Sequence, residues 1–442
     1  MSMPSGHKQG LREVLSLPQI VALYIGSVIG SGILLVPGLA AELAGPSSIV
    51  AWLAMSILVI PMAITMGLLA ARHPSSGGVS HFVKLAYGAR YGNLVGWFFL
   101  LSVPIGGPVV AVTGAQYVGV LLHWGSGQVH ALAALIMVVP FVMNIFGLRL
   151  AGSVQTVVIA LILAILLLAI GTAIPHYDAA NFTPFLPRGG FSVMKAAGLM
   201  FWCFIGWEAV THLSAEFVDP RRNAIRGVLW SAGVVALIYF AVAFMTVATH
   251  SYGDGQSAAS LSVMVHLSLG PVGGWIVAVA ALFICFAAHN AYASAAARIA
   301  YALAREGAAP RWFGRLHRKY RTPIGGLAFL AAGSAIALAV LYSGVVSLAQ
   351  LIELPNATFI ATYIGGCLAG VRLMRDYPLG RAAAWISLVV TLGLYPFLGW
   401  SALYPLVIVA IVQVWQRRRT SAVPAGLAPA DPAKPDLPAS HS

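Results

Sequence analysis

The chain has 442 residues, of which 60% are hydrophobic and 8% charged, with a formal net charge of +13. A soluble domain carries about 25% charged residues, so a water-soluble fold is excluded and a polytopic, all-α membrane protein is expected. The basic excess does not point to nucleic acid, because Lys and Arg fall between apolar segments rather than on one face of a domain.

Twelve membrane spans are predicted in chain order. The first, Leu17–Leu43, is broken by glycine at Val28-Ile29-Gly30-Ser31-Gly32-Ile33. Ile49–Ala71, Tyr91–Leu121, Ala131–Phe146 and Val154–Ile174 follow. The sixth, Val193–Leu213, is broken again at Phe201-Trp202-Cys203-Phe204-Ile205-Gly206-Trp207-Glu208. Val228–Thr249, Val272–Ala302, Gly325–Tyr342, Val346–Leu368, Ala384–Leu398 and Tyr404–Trp415 complete the set. About 20 apolar residues cross the hydrocarbon. The third and eighth spans exceed that and should tilt or emerge, whereas the fourth, eleventh and twelfth fall short. The first segment is too long for a cleaved signal peptide.

Between spans, Gly77–Val83 reads as a short amphipathic helix at the inner mouth, and Arg305–Tyr320 as a loop on the membrane surface with Trp312 and Phe313 as anchors. The tail from Ser421 is rich in Pro, Ala and Ser and is expected to be disordered. Of the 25 Lys and Arg residues, only Arg188 and Lys195 fall on one side of the membrane and Lys434 in the tail. All the others share the opposite side, which predicts that both termini are cytoplasmic. Cys203, Cys285 and Cys367 lie inside apolar segments without CxxC spacing. Reduced thiols are expected, with no metal, disulfide or cofactor.

The two breaks carry the functional signal. Glycine weakens a helix by about 1 kcal/mol in water. In lipid, each unsatisfied backbone group costs several kcal/mol, so a break persists only against protein or a wet cavity. The N–H groups of the resumed helix then offer an anion site at bilayer depth. Breaks in spans one and six are the relation expected of two inverted repeats, 17–175 and 176–370. A cytoplasmic segment (1–16), two further helices (371–416) and the tail (417–442) complete the organisation. Glycine in a span also serves close packing against a neighbour, which is the plainer reading of Gly206 taken alone. Glu208 directly after it strengthens the functional one, since a carboxylate in hydrocarbon needs a partner or a role.

The run Gly26-Ser27-Val28-Ile29-Gly30-Ser31-Gly32-Ile33 resembles the first-helix signature of the amino acid–polyamine–organocation permeases. Phe201 through Glu208, with Ala215 through Ile225, resembles their sixth-helix block. The likeness extends from about Leu11 to Trp415. His73 through Val83 and Met200 through Ala209 are similar to the branch of bacterial exporters for methionine and branched-chain amino acids. The resemblance implies that the substrate carboxylate is held around Ser31, Gly32 and Ile33. It implies that the ammonium is held by the carbonyls of Val28, Trp202, Cys203 and Ile205.

Trp202, Phe204 and Trp207, together with Ile105, Gly106, Gly107, Pro108, Phe283 and Phe286, are the expected pocket lining, with Pro104 bending the third span. Trp202 is read as a gating aromatic; Trp207 is read either as a second one or as an interface anchor. These stretches contain no Asp or Lys, and an unpaired buried cation is costly, so the expected substrate is a neutral, apolar amino acid. A basic amino acid paired with Glu208 is the alternative.

For energy coupling, the resemblance offers a hydroxyl pair on the eighth span for sodium or a lysine on the fifth. Here Ser294 stands without a clean partner, the fifth span has no lysine, and Gln155 near its basic end is a poor substitute. Protons remain, with Glu208 as first candidate, His289 second and Glu353 third. Structural readings compete: Glu208 bonded to nearby backbone, and His289 simply packed. A proton-driven exporter is expected, ahead of an importer or a basic amino acid or polyamine exchanger. No HExxH motif or paired intramembrane aspartate suggests an enzyme, and no filter-like repeat suggests a channel. A sensor without flux is the remaining alternative. Protons, lipid and a neutral amino acid are the expected partners, and a monomer or homodimer both stay open.

Overall fold

Hydrocarbon offers no water to backbone polar groups, so each segment has to satisfy its own, and this chain does so with helices. The computed structural model describes residues 13–253, 257 and 260–421. Sixteen α-helices succeed one another: α1 (Leu17–Val28), α2 (Gly32–Ala44), α3 (Ser48–Arg72), α4 (Gly78–Tyr87), α5 (Ala89–Leu121), α6 (Ser126–Phe146), α7 (Leu148–Ala173), α8 (Gly190–Met200), α9 (Trp207–Thr211), α10 (Pro220–Ala248), α11 (Ser260–Leu269), α12 (Pro271–Arg305), α13 (Ile324–Tyr342), α14 (Leu348–Leu373), α15 (Pro378–Leu394) and α16 (Leu403–Ser421). Among the described residues the only strand-like feature is an isolated bridge between Leu15 and Phe217.

Nine helical stretches among these residues are long and apolar enough to cross a membrane. The first span is divided into α1 and α2 at its break, and α2 runs into α3 through a single turn at Gly45–Ser47. The last two expected spans appear as the shorter apolar stretches Pro378–Gly393 and Trp400–Val414. The fourth expected span starts earlier than hydropathy suggested, because Ser126 through His130 form its polar first turn. The helix α11 is a ten-residue element that no span-length signal could reveal. The short helix expected at Gly77–Val83 is present as α4. The disorder expected of the tail falls on residues outside those described, apart from the end of α16.

The longest helices, α5 and α12, pack against each other at the centre. Around them, α1 lies against α7, α10 and α12, and α3 lies against α10. The third expected span stays α-helical through Pro104 and Pro108. All three cysteines are free and buried.

The basic end of the bundle is tied by polar contacts. The Val14 and Leu15 N–H groups donate to the Glu216 carbonyl, and Val218 N–H returns the bond to Leu15 O, each at 2.9 Å. Arg298 of α12, fully buried, donates through Nε to Glu216 Oε1 at 2.9 Å. Its Nη1 reaches the Ser294 carbonyl at 3.1 Å and Asn144 Oδ1 at 3.4 Å. The chain of amides continues inward. Asn144 Nδ2 donates to Asn290 Oδ1 (3.0 Å), Asn290 Nδ2 to Gln155 Oε1 (2.7 Å), and Gln155 Nε2 to Ala287 O (3.0 Å). Gln155 is therefore no bystander near a helix end. It is buried and joins α7 to α12. Ser294, considered above as a cation ligand, spends its hydroxyl on Asn144 Oδ1 at 2.6 Å.

Removing one partner of a buried ion pair leaves the other charge uncompensated, at a cost of about 3–5 kcal/mol. Glu216→Ala is expected to lower the thermal unfolding midpoint of the detergent-purified protein sharply, while Glu216→Ala with Arg298→Met recovers most of the loss. A single variant as stable as wild type would refute a structural role for the pair.

Candidate functional site: the paired helix breaks

The first break spans Ile29 to Ser31, between α1 and α2. The second is a 3-10 turn at Phe201–Phe204 followed by extended Ile205 and by Gly206, which caps α9. Gly206 has φ +139°, and a Cβ there would sit 2.7 Å from the Ser27 carbonyl oxygen. A Cβ on Gly32 would meet Cys203 Sγ at 2.6 Å. The two breaks therefore touch, and glycine is what lets their backbones approach.

Four side chains, Ser27, Tyr239, Glu208 and Tyr363, bond the main chain exposed there. Ser27 Oγ lies 2.9 Å from the Tyr24 carbonyl and 3.0 Å from the Gly206 carbonyl, so it links α1 to the second break. The Tyr239 hydroxyl, from α10, lies 2.8 Å from Val28 O and 2.9 Å from Cys203 O. It carries one proton and donates to one of these carbonyls at a time, and Val28 O also accepts from Gly30 N–H at 2.8 Å. Glu208 is completely buried. Its Oε2 accepts from Gly206 N–H at 3.0 Å, its Oε1 accepts from the Tyr292 hydroxyl at 3.3 Å, and Gly206 N–H also approaches the Tyr363 hydroxyl at 3.2 Å. A carboxylate in the first turn of α9 is favourably placed against the helix dipole.

A cavity of about 60 Å³ opens where the breaks meet. A water needs about 10–15 Å³ in this measure, so the space holds a few waters, and a larger occupant requires the walls to part. Ser27, Val28, Gly30, Ser31 and Gly32 contribute from the first break, and Trp202 and Ile205 from the second. Val103, Gly106, Gly107 and Val110 of α5, Ala288, His289 and Tyr292 of α12, and Phe359 of α14 close the rest. No carboxylate, ammonium or guanidinium is among these groups. Toward the basic end, Tyr292 and Phe359 pack on Phe99 with ring centroids 6.1 and 5.9 Å away, and Phe99 packs on His212 at 4.4 Å. These rings form a floor.

The expected site residues divide accordingly. Val28, Ser31, Gly32, Trp202 and Ile205 line the cavity. Ile33 and Cys203 are buried immediately behind it. Phe204 turns away and packs between Trp52 and Tyr239, at 6.0 and 5.3 Å. Trp207 is buried on Tyr24 at 6.0 Å and is neither a lipid-facing anchor nor part of the lining. Ile105 is half-buried beside the two glycines that do line the space. Phe283 and Phe286 are half-buried in α12 away from it.

Among the titratable candidates only His289 lines the cavity. Apart from an interaction with the Met137 backbone, neither ring nitrogen makes a hydrogen bond, and Phe141 packs edge-on at 5.0 Å. Glu353 lies in α14 with Oε2 buried and unbonded among the described residues. Sequence reasoning missed Tyr239, Tyr292 and Tyr363, since a tyrosine inside an apolar span carries no signal of where its hydroxyl lands.

The chain matches the amino acid permease family over residues 15–421. It belongs to that family. It is 36% identical over 400 residues to an uncharacterized amino acid permease of Bacillus subtilis, covering 90% of this chain and 94% of the relative. It is 31% identical over 406 residues to the L-methionine/branched-chain amino acid exporter of Escherichia coli, covering 91% and 95%. A branched-chain amino acid permease of Bacillus subtilis is 24% identical over 394 residues, covering 85% and 83%. The protein is thus an integral membrane amino acid transporter of the bacterial cell membrane and not an enzyme. As a permease it has to hold its substrate at some depth in the bundle, and the paired breaks are the candidate place.

Gly206→Ala tests the breaks. The added Cβ meets the Ser27 carbonyl in a backbone region that costs about 1–3 kcal/mol for other residues. Amino acid flux in proteoliposomes is expected to fall about tenfold or more at equal protein incorporation. Unchanged flux would show that the contact between the breaks is dispensable.

Proposed function

We propose that this permease carries neutral, apolar L-amino acids (methionine, leucine, isoleucine and valine) across the bacterial inner membrane by alternating access, exporting them in exchange for protons. The observation that carries the reading is the cavity: both helix breaks open onto it, and nothing charged lines it. The start of α2, with the Ser31 hydroxyl, the N–H of Gly32 and the N–H of Ile33, which makes only a long 3.4 Å bond to the Gly30 carbonyl, suits a carboxylate. The carbonyls of Val28, Trp202, Cys203 and Ile205 suit an ammonium. Those of Trp202 and Ile205 make no hydrogen bond to another segment among the described residues. Val28 O accepts from Gly30 N–H at 2.8 Å and lies near the Tyr239 hydroxyl, which also reaches Cys203 O, so these two carbonyls keep only their second lone pairs for a substrate. Opposite charges one residue-length apart define a zwitterion and leave the side chain to apolar walls. Trp202, half-buried in the lining, is the gating aromatic, with Phe204, Trp207 and Ile105 as backing.

A basic substrate is disfavoured because the Glu208 carboxylate faces Gly206 and Tyr292 instead of the cavity. That same bonding makes Glu208 the first candidate for proton coupling, since protonation removes an acceptor from the N–H at the second break. His289 in the cavity wall is the second, and Glu353 the third. Export is supported by the Escherichia coli relative's activity. The basic residues support cytoplasmic termini and, with the breaks, inverted repeats at 17–175 and 176–370 followed by two helices.

Proteoliposome counterflow of labelled leucine tests the substrate class. Excess methionine, valine and isoleucine are expected to abolish it and arginine to leave it intact, with sodium absent throughout; competition by arginine but not by valine would sink the proposal. Glu208→Gln is expected to flatten the pH dependence of flux. A variant with wild-type rate and wild-type pH profile would transfer the coupling role to His289, where His289→Gln repeats the measurement.

A further inference from the structure

At the basic end of the bundle, away from the paired breaks, a groove of about 580 Å³ opens between the ends of α3 and α14 and the start of α10. Its walls are of two kinds. Leu68, Ala71, Ile225 and Leu373 form an apolar side, and Arg72, His73, Arg221 and Asp376 form a polar side. The amino acid site explains none of these residues.

Charge in the groove is not balanced. Arg72 Nη1 holds Asp376 at 2.8 Å, which accounts for one cation. Burial and the adjacent Arg72 guanidinium hold His73 below the usual histidine range, so it is neutral near pH 7. Arg221 is exposed and makes no ion pair among the described residues. It sits in the first turn of α10, where the helix dipole disfavours a positive charge. Exposed Asp219 precedes it and exposed Arg222 follows it, neither lining the groove, so the uncompensated charge there rests on Arg221. Arg72, Pro220 and Leu373 end helical stretches long and apolar enough to cross a membrane, so at a bilayer boundary there the apolar wall would adjoin acyl chains and the cationic wall water.

We infer that this groove binds an anionic phospholipid, its phosphate on Arg221 and Arg72 and its acyl chain along Leu68, Ile225 and Leu373. The two walls match the two halves of such a lipid, and a juxtamembrane cation contributes attraction for an anionic headgroup. A zwitterionic lipid gains less, because its own cation meets Arg221. Asp376 competes with the phosphate for Arg72, so it weakens binding and makes it tunable.

Native mass spectrometry of the full-length protein, released from nanodiscs of mixed phosphatidylglycerol and phosphatidylcholine, tests the inference. Retention of phosphatidylglycerol over phosphatidylcholine is expected, reduced about fivefold in Arg221→Gln, the equivalent of about 1 kcal/mol for one cation, and raised in Asp376→Asn. Equal retention of the two lipids, or an Arg221→Gln variant that holds as much phosphatidylglycerol as wild type, would overturn it. Free glycerol phosphate separates the two possible sources of phosphate. Failure to displace the lipid supports the inference, whereas displacement at millimolar concentration assigns the groove to a soluble phosphate compound and overturns it. Leucine counterflow in the same variants is a separate readout, so failure of this inference leaves the substrate assignment untouched.

Discussion

Main-chain hydrogen bonding inside hydrocarbon is the constraint on which this molecule is built. A helix that stops in mid-membrane strands N–H and C=O groups, each at a cost of several kcal/mol if nothing answers them. Here two helices stop at one place, and each answers part of the other's need. Ser27 of the first bonds the Gly206 carbonyl of the second, Tyr239 sits between carbonyls from both, and Glu208 takes the Gly206 N–H. The supply is incomplete. Tyr239 has one proton for Cys203 O and Val28 O, the latter also accepting from Gly30 N–H, while the carbonyls of the cavity-lining Trp202 and Ile205 make no hydrogen bond to another segment among the described residues. An amino acid brings the missing donors and acceptors on its own α-carbon. The carbonyls left over at the second break thus match the ammonium of the proposed substrate in chemistry.

Charge is used sparingly within the bundle and is kept out of the cavity. Glu208 is spent on backbone and tyrosine, and Arg298 on Glu216, Asn144 and Ser294. Around these run neutral amides, Asn144, Asn290 and Gln155, which join α6, α7 and α12 without any titrating group. Such a junction holds its geometry over a wide pH range. The groups proposed for proton coupling, Glu208, His289 and Glu353, all lie outside this amide junction.

Much of this was legible in the sequence because lipid imposes coarse rules. Glycine interrupting Leu17–Leu43, and again at Gly206 with an acid beside it, marks both breaks in the sequence itself. Charge-free spans located most of the helices. What stayed illegible depended on direction. Trp202 and Phe204 are two residues apart in a 3-10 turn, and only the turn's geometry decides that one lines the cavity while the other packs on Trp52 and Tyr239. Gln155 looked peripheral from its position in a span, yet its amide reaches across to Asn290. The short helix α11 and the polar first turn of α6 escaped because hydropathy averages over a window longer than either.

The buried pair at the basic end bears on how the protein is made. An arginine within a membrane helix opposes insertion by about 2.5–3.5 kcal/mol at the helix centre, and less near an end. Arg298 lies toward the end of α12 and follows Glu216 by 82 residues. Synthesis therefore delivers the acid first. By the time α12 leaves the ribosome, α9 and α10 have already emerged with their counter-charge, and the arginine can be neutralised by a waiting neighbour instead of by lipid headgroups. Order along the polypeptide thus doubles as an assembly instruction: exchanging the two charges would present an unmatched cation to the translocon before its acid exists.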